Sequence, residues 1–312
     1  MTDLSALIAR HLPAPGFFDT PMDGVQLFRV DAPLSRVSTV YPPSLCVILQ
    51  GTKRVYLNGR TYVYEAGQAL FVAMSIPVEA EILAATPEAP VLGLMLSLES
   101  RVAAETIVAC QAARTSNAPV ASAAGADSLS GLGVARWDPA FTEALRRMLD
   151  LLGHPEAVRV LGPGRVREVV YAAIQGEAGA RIRSHLGGGQ EMARIVGYVR
   201  DHLHEAISVD DLARRAGMSR AVFDRRFKAA TTYAPLQFIK AMRLNNAALL
   251  LRQGATVSEA AYAVGYASAS QFSREFSRQF NLPPRAWGRA HERESVGSPS
   301  VPFISGPTTV AP

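Results

Sequence analysis

Cysteine is almost missing from this sequence: 312 residues hold two, Cys46 and Cys110. Two thiols cannot build the disulfide framework on which small secreted folds depend, and they fit a reducing compartment. No apolar run reaches the ~18–20 residues that a membrane-crossing helix needs. The first residues lack the basic patch and long apolar stretch of a secretory leader. A cytoplasmic protein with no membrane partner is the expectation. Histidine is also scarce, and none of His11, His154, His185, His202, His204 and His291 lies in the stretch read below as sheet. A metal centre inside a barrel needs several histidines and a carboxylate converging on one point. His202 and His204, two apart, would leave a helix on different faces. There is no phosphate-cradling glycine loop, no dinucleotide-type glycine pattern after a strand and no nucleophile elbow. No catalytic residue, cofactor or metal is expected, and a barrel enzyme is the weakest of the readings considered.

What is present is ample apolar material, 48% of residues against 19% charged. The length favours two domains, since single cores stop growing near ~250–300 residues. The net charge of +5 is unevenly spread. Residues 191–293 carry 16 Lys and Arg against 9 Asp and Glu, a net +7, and leave −2 for the rest. The basic excess sits where phosphate contacts would be made, although a solvated basic surface would look the same.

The first part of the chain reads as short strands. Val25–Val30, Leu45–Gln50, Arg54–Leu57 and Ala69–Ala73 are rich in β-branched and aromatic residues. Turn signals separate them at Pro42-Pro43, Gln50-Gly51, Asn58-Gly59, Ala66-Gly67 and Glu88-Ala89-Pro90. Asn58-Gly59 is a two-residue hairpin signal, and the strand spacing suggests an antiparallel sandwich or jelly-roll barrel. Helical patterns follow at Arg101–Ala113, at Phe141–Leu152 behind Asp138-Pro139, and at Arg165–Gln175. Ala118–Gly133 reads as a loop, Gly187-Gly188-Gly189 as a joint, and the Ser/Pro-rich tail as disordered. The expected divisions are an arm (1–19), a domain of strands followed by helices (20–186), a linker (187–190), a helical domain (191–293) and the tail (294–312).

Within 191–293 one arrangement occurs twice. Asp210–Ala216 reads as a short helix ended by Gly217, after which Ser219 can cap a helix over Arg220–Ala230. Thr256 can cap a second short helix ended by Gly265, and Ser268 or Ser270 can cap the next. Phe223 and Phe227 in the first unit, and Phe272, Phe276 and Phe280 in the second, fall on inward faces. This is the helix-turn-helix pattern, repeated. Pro235–Gln253 makes a spacer helix of ~27 Å, against the ~34 Å between successive major grooves.

The segment resembles the AraC-type transcription regulators. The resemblance rests on Leu212-Ala213 through Gly217-Met218-Ser219, Phe223 through Phe227-Lys228, and Arg243-Leu244 through Leu250-Leu251. It continues with Ala260-Ala261 through Gly265-Tyr266, Gln271–Phe276 and Pro283-Pro284. Many members carry glycine where Tyr233 and Asn281 stand, and arginine where Gly288 stands. The N-terminal half is similar to the sensor domain of one AraC subgroup over Tyr41–Arg54, Glu65-Ala66-Gly67, Ile76-Pro77-Val78 and Thr86–Pro90, with helical matches at Leu145–Leu152 and Arg167–Tyr171. The resemblance implies an α+β chain. An N-terminal cupin-like antiparallel β-barrel with a helical extension would precede an all-α domain of two helix-turn-helix units.

The expected DNA-binding residues are Arg220, Ala221, Asp224, Arg225 and Lys228 on the first reading helix, and Ser270, Gln271, Arg274 and Arg278 on the second. Arginine can read guanine bidentately, glutamine suits adenine, and aspartate can accept from cytosine N4. Pairing with a neighbouring arginine is the equal alternative for Asp224. Arg226, Lys228, Arg278 and Asn245-Asn246 fit positioning or surface roles. Cys46 is a candidate electrophile or redox sensor. A buried, inert cysteine is the competing reading, favoured because Lys53 and Arg54 are the only cations near it in sequence. Double-stranded DNA is the expected partner; a small-molecule effector, a second copy of the chain and RNA polymerase are further candidates. The expected function is sequence-specific transcription regulation, with ligand-independent architectural DNA binding as the alternative.

Overall fold

A computed structural model describes residues 4–115, 130–177, 179, 182 and 190–292. The expected joint at 187–189, the tail at 294–312 and most of the 118–133 loop lie outside the described residues.

The N-terminal half is a two-sheet sandwich. Strands β1 (Gly16–Asp19), β2 (Val25–Val30), β3 (Leu34–Tyr41), β4 (Ser44–Gln50), β5 (Thr52–Leu57), β6 (Arg60–Glu65), β7 (Gln68–Val72), β8 (Ile76–Ile82), β9 (Val91–Ser97) and β10 (Leu132–Arg136) form it. Six pair in the order β1-β2-β9-β4-β7-β10, and four in the order β3-β8-β5-β6. All the pairs are antiparallel. No ladder joins the sheets, so the expected barrel is not closed. At the β3–β4 corner Pro42 and Pro43 have no N–H with which to carry a ladder around. The β5–β6 hairpin follows the sequence signal: Leu57 pairs with Arg60 across Asn58 (φ 46°) and Gly59 (φ 82°), both left-handed.

β4 is buried along six of its seven residues, as a strand covered on both faces must be. One face meets the four-stranded sheet. Over the other lie α1 (Leu4–Ala9), which packs on β4 and β9, and two helices of the extension. There Leu45 and Ala69 share a small cleft with Phe141 of α3 (Pro139–Asp150) and Ala172 of α4 (Pro155–Gln175). Asp138 caps α3 through the Phe141 N–H at 2.7 Å, with Pro139 in the first turn. Helix α4 begins ten residues before the expected Arg165, with Pro163 inside it. An interior proline costs ~3 kcal/mol. Burial of Val158, Val166, Val169 and Val170, at ~1.5–3 kcal/mol for each full side chain, more than offsets it. Helix α2 (Arg101–Thr115) lies against α4.

The C-terminal part is helical throughout: Gln190–Asp201, Val209–Arg215, Arg220–Thr231, Pro235–Arg252, Val257–Ala263, Ala269–Phe280 and Pro284–Glu292. Two apolar cores divide it. The first is continuous with the sandwich and ends at Phe223, Phe227, Phe238, Ile239 and Met242. The second gathers Leu244, Leu251, Val264, Phe272, Phe276 and Trp287. The Pro235–Arg252 helix feeds both cores and also packs on β3 and β8. Polar contacts tie the sandwich to the first helices of this part. Asn58 Nδ2 donates to the Thr232 carbonyl at 2.6 Å. The Gly131 N–H donates to the Ala230 carbonyl at 2.8 Å, and Arg200 pairs with Glu99 at 2.9 Å.

Candidate nucleic-acid interface

Each unit is built by local chemistry that the sequence dictates. In the first, Ser208 accepts from the Asp211 N–H, and the helix ends at Gly217 (φ 62°), where the Met218 N–H returns to the Ala213 carbonyl at 3.0 Å. In the second, Thr256 and Glu259 form a reciprocal capping box. That helix ends at Gly265 (φ 86°), with the Tyr266 N–H on the Ala261 carbonyl at 3.0 Å. Ser219 holds the N-cap backbone conformation but makes no side-chain cap. Ser268, not Ser270, caps the second reading helix, accepting from the Gln271 N–H at 3.3 Å.

The reading helices are Arg220–Thr231 and Ala269–Phe280. Phe223 and Phe227, like Phe272 and Phe276, are fully buried, with ring centroids 5.4 and 5.3 Å apart. These pairs bring the two helices into register, and Arg225 and Arg274 then occupy the same place, between the phenylalanines. Two residues along a helix is a turn of ~200°, so both arginines point straight away from the core. Ala221 and Ser270 fall on the same outer line. Arg220, Ala221, Arg225, Lys228, Ser270, Gln271, Arg274 and Arg278 are exposed, and Asp224 is half-buried.

Their surroundings differ. Arg220 donates to both Asp224 oxygens at 3.1 Å and to Asp210 at 2.8 Å. These bonds, to Asp210 first, raise its pKa further. The pairing of Asp224 with an arginine is thus present in the protein by itself. Arg225, Lys228, Arg274 and Arg278 make no ion pair among the described residues. Arg226, also exposed on the first reading helix, makes none either among the described residues.

Sequence reasoning missed a network behind Gln271. Glu275 accepts from Tyr266 Oη at 2.8 Å, Lys240 Nζ at 3.1 Å and Gln271 Nε2 at 3.4 Å. Burial by itself would raise the Glu275 pKa, but these donors outweigh it and hold it low. Tyr266 moves the other way, raised by burial and then by the carboxylate it serves. Arg243 is a second missed residue: its guanidinium donates to the Leu203 carbonyl at 2.9 Å and the Glu205 carbonyl at 2.6 Å. It braces the spacer helix against the loop before the first unit. Gln271 and Glu275, four apart on one helix, were a readable signal; the contacts from other helices were not.

Among the described residues no three His, Cys, Asp or Glu side chains cluster as a metal site would require, and no helix is long and apolar enough to cross a membrane.

Residues 21–181 match the family described as AraC-type transcriptional regulator N-terminus, and residues 212–290 match a helix-turn-helix domain family. The chain is 29% identical over 119 residues to the HTH-type transcriptional regulator MtrA of Neisseria gonorrhoeae, covering 37% of this chain and 40% of MtrA. It is 41% identical over 78 residues to a putative AraC-like transcription regulator of Streptomyces lividans, covering 25% and 26%. The chain thus spans less than half the length of these curated relatives. A crystal structure of ToxT from Vibrio cholerae is similar over 86% of this chain and 98% of that one, at 11% identity and a TM-score of 0.53. An unsaturated fatty acid-bound ToxT structure is similar at 11% identity and a TM-score of 0.51, over 86% and 96%.

Proposed function

Because this chain belongs to the AraC-type transcriptional regulators, we propose that it binds double-stranded DNA sequence-specifically through both reading helices and so regulates transcription. The observation that carries the reading is the equivalent placement of Arg225 and Arg274, outward and unpaired, on two helices joined by an 18-residue spacer. At 1.5 Å per residue the spacer is ~27 Å long, a span that suits adjacent major grooves on one face of DNA. Ala221 and Ser270 leave room beside each arginine for a base edge. Arg220, Asp224 and Gln271 flank the reading line, and Lys228 and Arg278 serve phosphates. Residues 191–293 are the reader. Residues 20–186 sense and associate, a division supported by the family match over residues 21–181 and by ToxT, which shares the fold and has been crystallised with an unsaturated fatty acid bound. In this reading a small effector shifts the population of reader arrangements through the contacts at Asn58, Gly131 and Arg200. RNA polymerase and a second copy of the chain complete the proposed partners; exposed Val160 and Tyr171 on α4 offer the latter an apolar face.

The test is selection of bound fragments from genomic DNA by purified protein, repeated with Arg225→Ala and Arg274→Ala. Loss of a good base contact costs ~1–3 kcal/mol, or about 5- to 150-fold. Two boxes one helical turn apart, each blurred by one substitution, would support the reading. Uniform binding that fades steeply with salt would replace it with an architectural role resting on phosphate contacts.

A further inference from the structure

The interior of the sandwich holds a charge. On β5 the residues Lys53, Val55 and Leu57 face inward, and Lys53 is 4% exposed. A buried ammonium costs several kcal/mol unless an anion meets it, yet no carboxylate pairs with Lys53 among the described residues. Its Nζ lies 4.0 Å from Cys46 Sγ, across the gap between the sheets. The rings of Tyr41 and Phe28 stand 5.3 and 5.4 Å away. Tyr64, which pairs with Lys53 in the β5–β6 ladder, donates its hydroxyl to the same sulfur at 3.3 Å. Cys46, Tyr41 and Tyr64 are each no more than 1% exposed.

The chemistry of this cluster favours one assignment of protons. Burial works against the Lys53 ammonium, but the facing sulfur and the Tyr41 oxygen outweigh burial and hold it charged. Burial pushes both tyrosines up, so they remain phenols and hydrogen-bond donors. A thiol is ordinarily more acidic than a phenol, at ~8.5 against ~10. Cys46 Sγ is the soft nucleophilic atom that faces Lys53 Nζ.

We propose that Cys46 is a buried nucleophile, its sulfur faced by the Lys53 ammonium and the Tyr64 hydroxyl, that captures small α,β-unsaturated carbonyl compounds by conjugate addition. A thiolate suits the soft β-carbon, and addition needs neither an oxidant nor a leaving group. The Cys46 Sγ–carbon bond forms while the carbon–carbon π pair moves toward the carbonyl as an enolate. The proton on Lys53 Nζ then passes to the α-carbon. The product is a thioether that keeps every atom of the reagent, beside a neutral Lys53 amine. The buried charge pair is gone and the close-packed interior has gained volume, so β4 and β5 must shift. Five residues on from Lys53, Asn58 holds the Thr232 carbonyl directly after the first reading helix. The effect on DNA rests on the effector reading above; the capture chemistry does not.

The experiment uses the full chain and methyl vinyl ketone, with intact mass and peptide mapping. Cys110, half-buried on α2, is the internal comparison. Cys46 should gain one adduct about tenfold faster than Cys110. A bulky maleimide, excluded from the sandwich, should reverse that order. Lys53→Met should slow Cys46 about tenfold or more and leave Cys110 unchanged, whereas Lys53→Arg should retain part of the rate. Ultraviolet thiolate absorbance, present in the native protein and absent in Cys46→Ser, keeps the test decisive if Lys53→Met fails to fold. Overturning results are an unmodified Cys46 beside an alkylated Cys110, no thiolate absorbance, or an unchanged rate in folded Lys53→Met. A complete Cys46 adduct that leaves DNA affinity unmoved would sink the link to the reader alone, and the capture chemistry would stand.

Discussion

Gly217 and Gly265 end the first helix of their respective units, both in the left-handed region at φ 62° and 86°. Alanine there costs ~1–2 kcal/mol from backbone strain at either position. Their surroundings separate them. A methyl group at Gly217 would meet nothing within 4 Å. At Gly265 it would lie 2.4 Å from the Leu203 carbonyl oxygen and 3.0 Å from both Arg243 Nη2 and the His204 carbonyl carbon. Backbone cannot rotate away, so the loop before the first unit must retreat from the Arg243 guanidinium. Hydrogen bonds to a charged group are worth ~1.5–3 kcal/mol each. Loss of one sets the total for Gly265→Ala at about 2.5–5 kcal/mol, against about 1–2 kcal/mol for Gly217→Ala. Urea unfolding of the full chain, followed by helical circular dichroism, measures both. Trp287 fluorescence in a Trp137→Phe background reports the second core separately. Equal losses at the two glycines would refute the argument, because strain alone would then account for both.

Glu275→Gln tests the network behind Gln271. A carboxylate held below its ordinary pKa contributes stability that is complete above ~4.3 and is lost as the pH falls through its folded value. The urea midpoint of the second core should therefore fall in that acid window in the native protein and stay flatter in Glu275→Gln; parallel curves would sink the idea. Asn58→Gly retains the left-handed hairpin turn and removes only the bond to Thr232. A net ~1 kcal/mol corresponds to roughly a fivefold change in how often the first unit is released from the sandwich. DNA affinity should move by that factor while the unfolding of the sandwich does not, and the reverse pattern would be inconsistent with a latch.

Periodic elements were legible in the sequence because their physics is local. The Asn58-Gly59 hairpin, the Asp138 cap and the Thr256–Glu259 box all depend on residues within a few positions of one another. The double unit was legible for the same reason, as phenylalanines four apart recur behind a glycine-ended helix. What failed depended on distant partners. The helix expected from Arg165 begins at Pro155 and runs through Gly162-Pro163-Gly164, because its valines bury against the rest of the domain. Closure of the sheets into a barrel is decided by ladders between strands far apart in the chain. The departures from the family pattern were resolved by backbone geometry: Asn281 itself takes the left-handed cap at φ 54°, whereas beside Tyr233 that role falls to Thr232 at φ 67°. That the Lys53 ammonium faces Cys46 across the sandwich was not read from the sequence, in which seven residues separate them; alternation along β5 was the available signal, since Lys53 shares a face with Val55 and Leu57.

Asp224 shows how an alternative left open by the sequence becomes a statement about energies. In the protein by itself Asp224 holds Arg220, which also holds Asp210, and side-chain exposures of 43% to 71% mark these as surface pairs. Exposed pairs of this kind are weak because water screens them, whereas a desolvated bidentate base contact is stronger. DNA can therefore take Arg220 from both carboxylates at a net gain, and the pairs do not block reading. They do aim the guanidinium along the start of the helix before DNA arrives, which lowers the entropy lost on binding. Asp224→Ala then separates two roles within one variant. If Asp224 only aims Arg220, non-specific affinity rises as a negative charge leaves the phosphate-facing surface, and base preference is kept. If Asp224 accepts from a cytosine, preference at one position relaxes while the others hold.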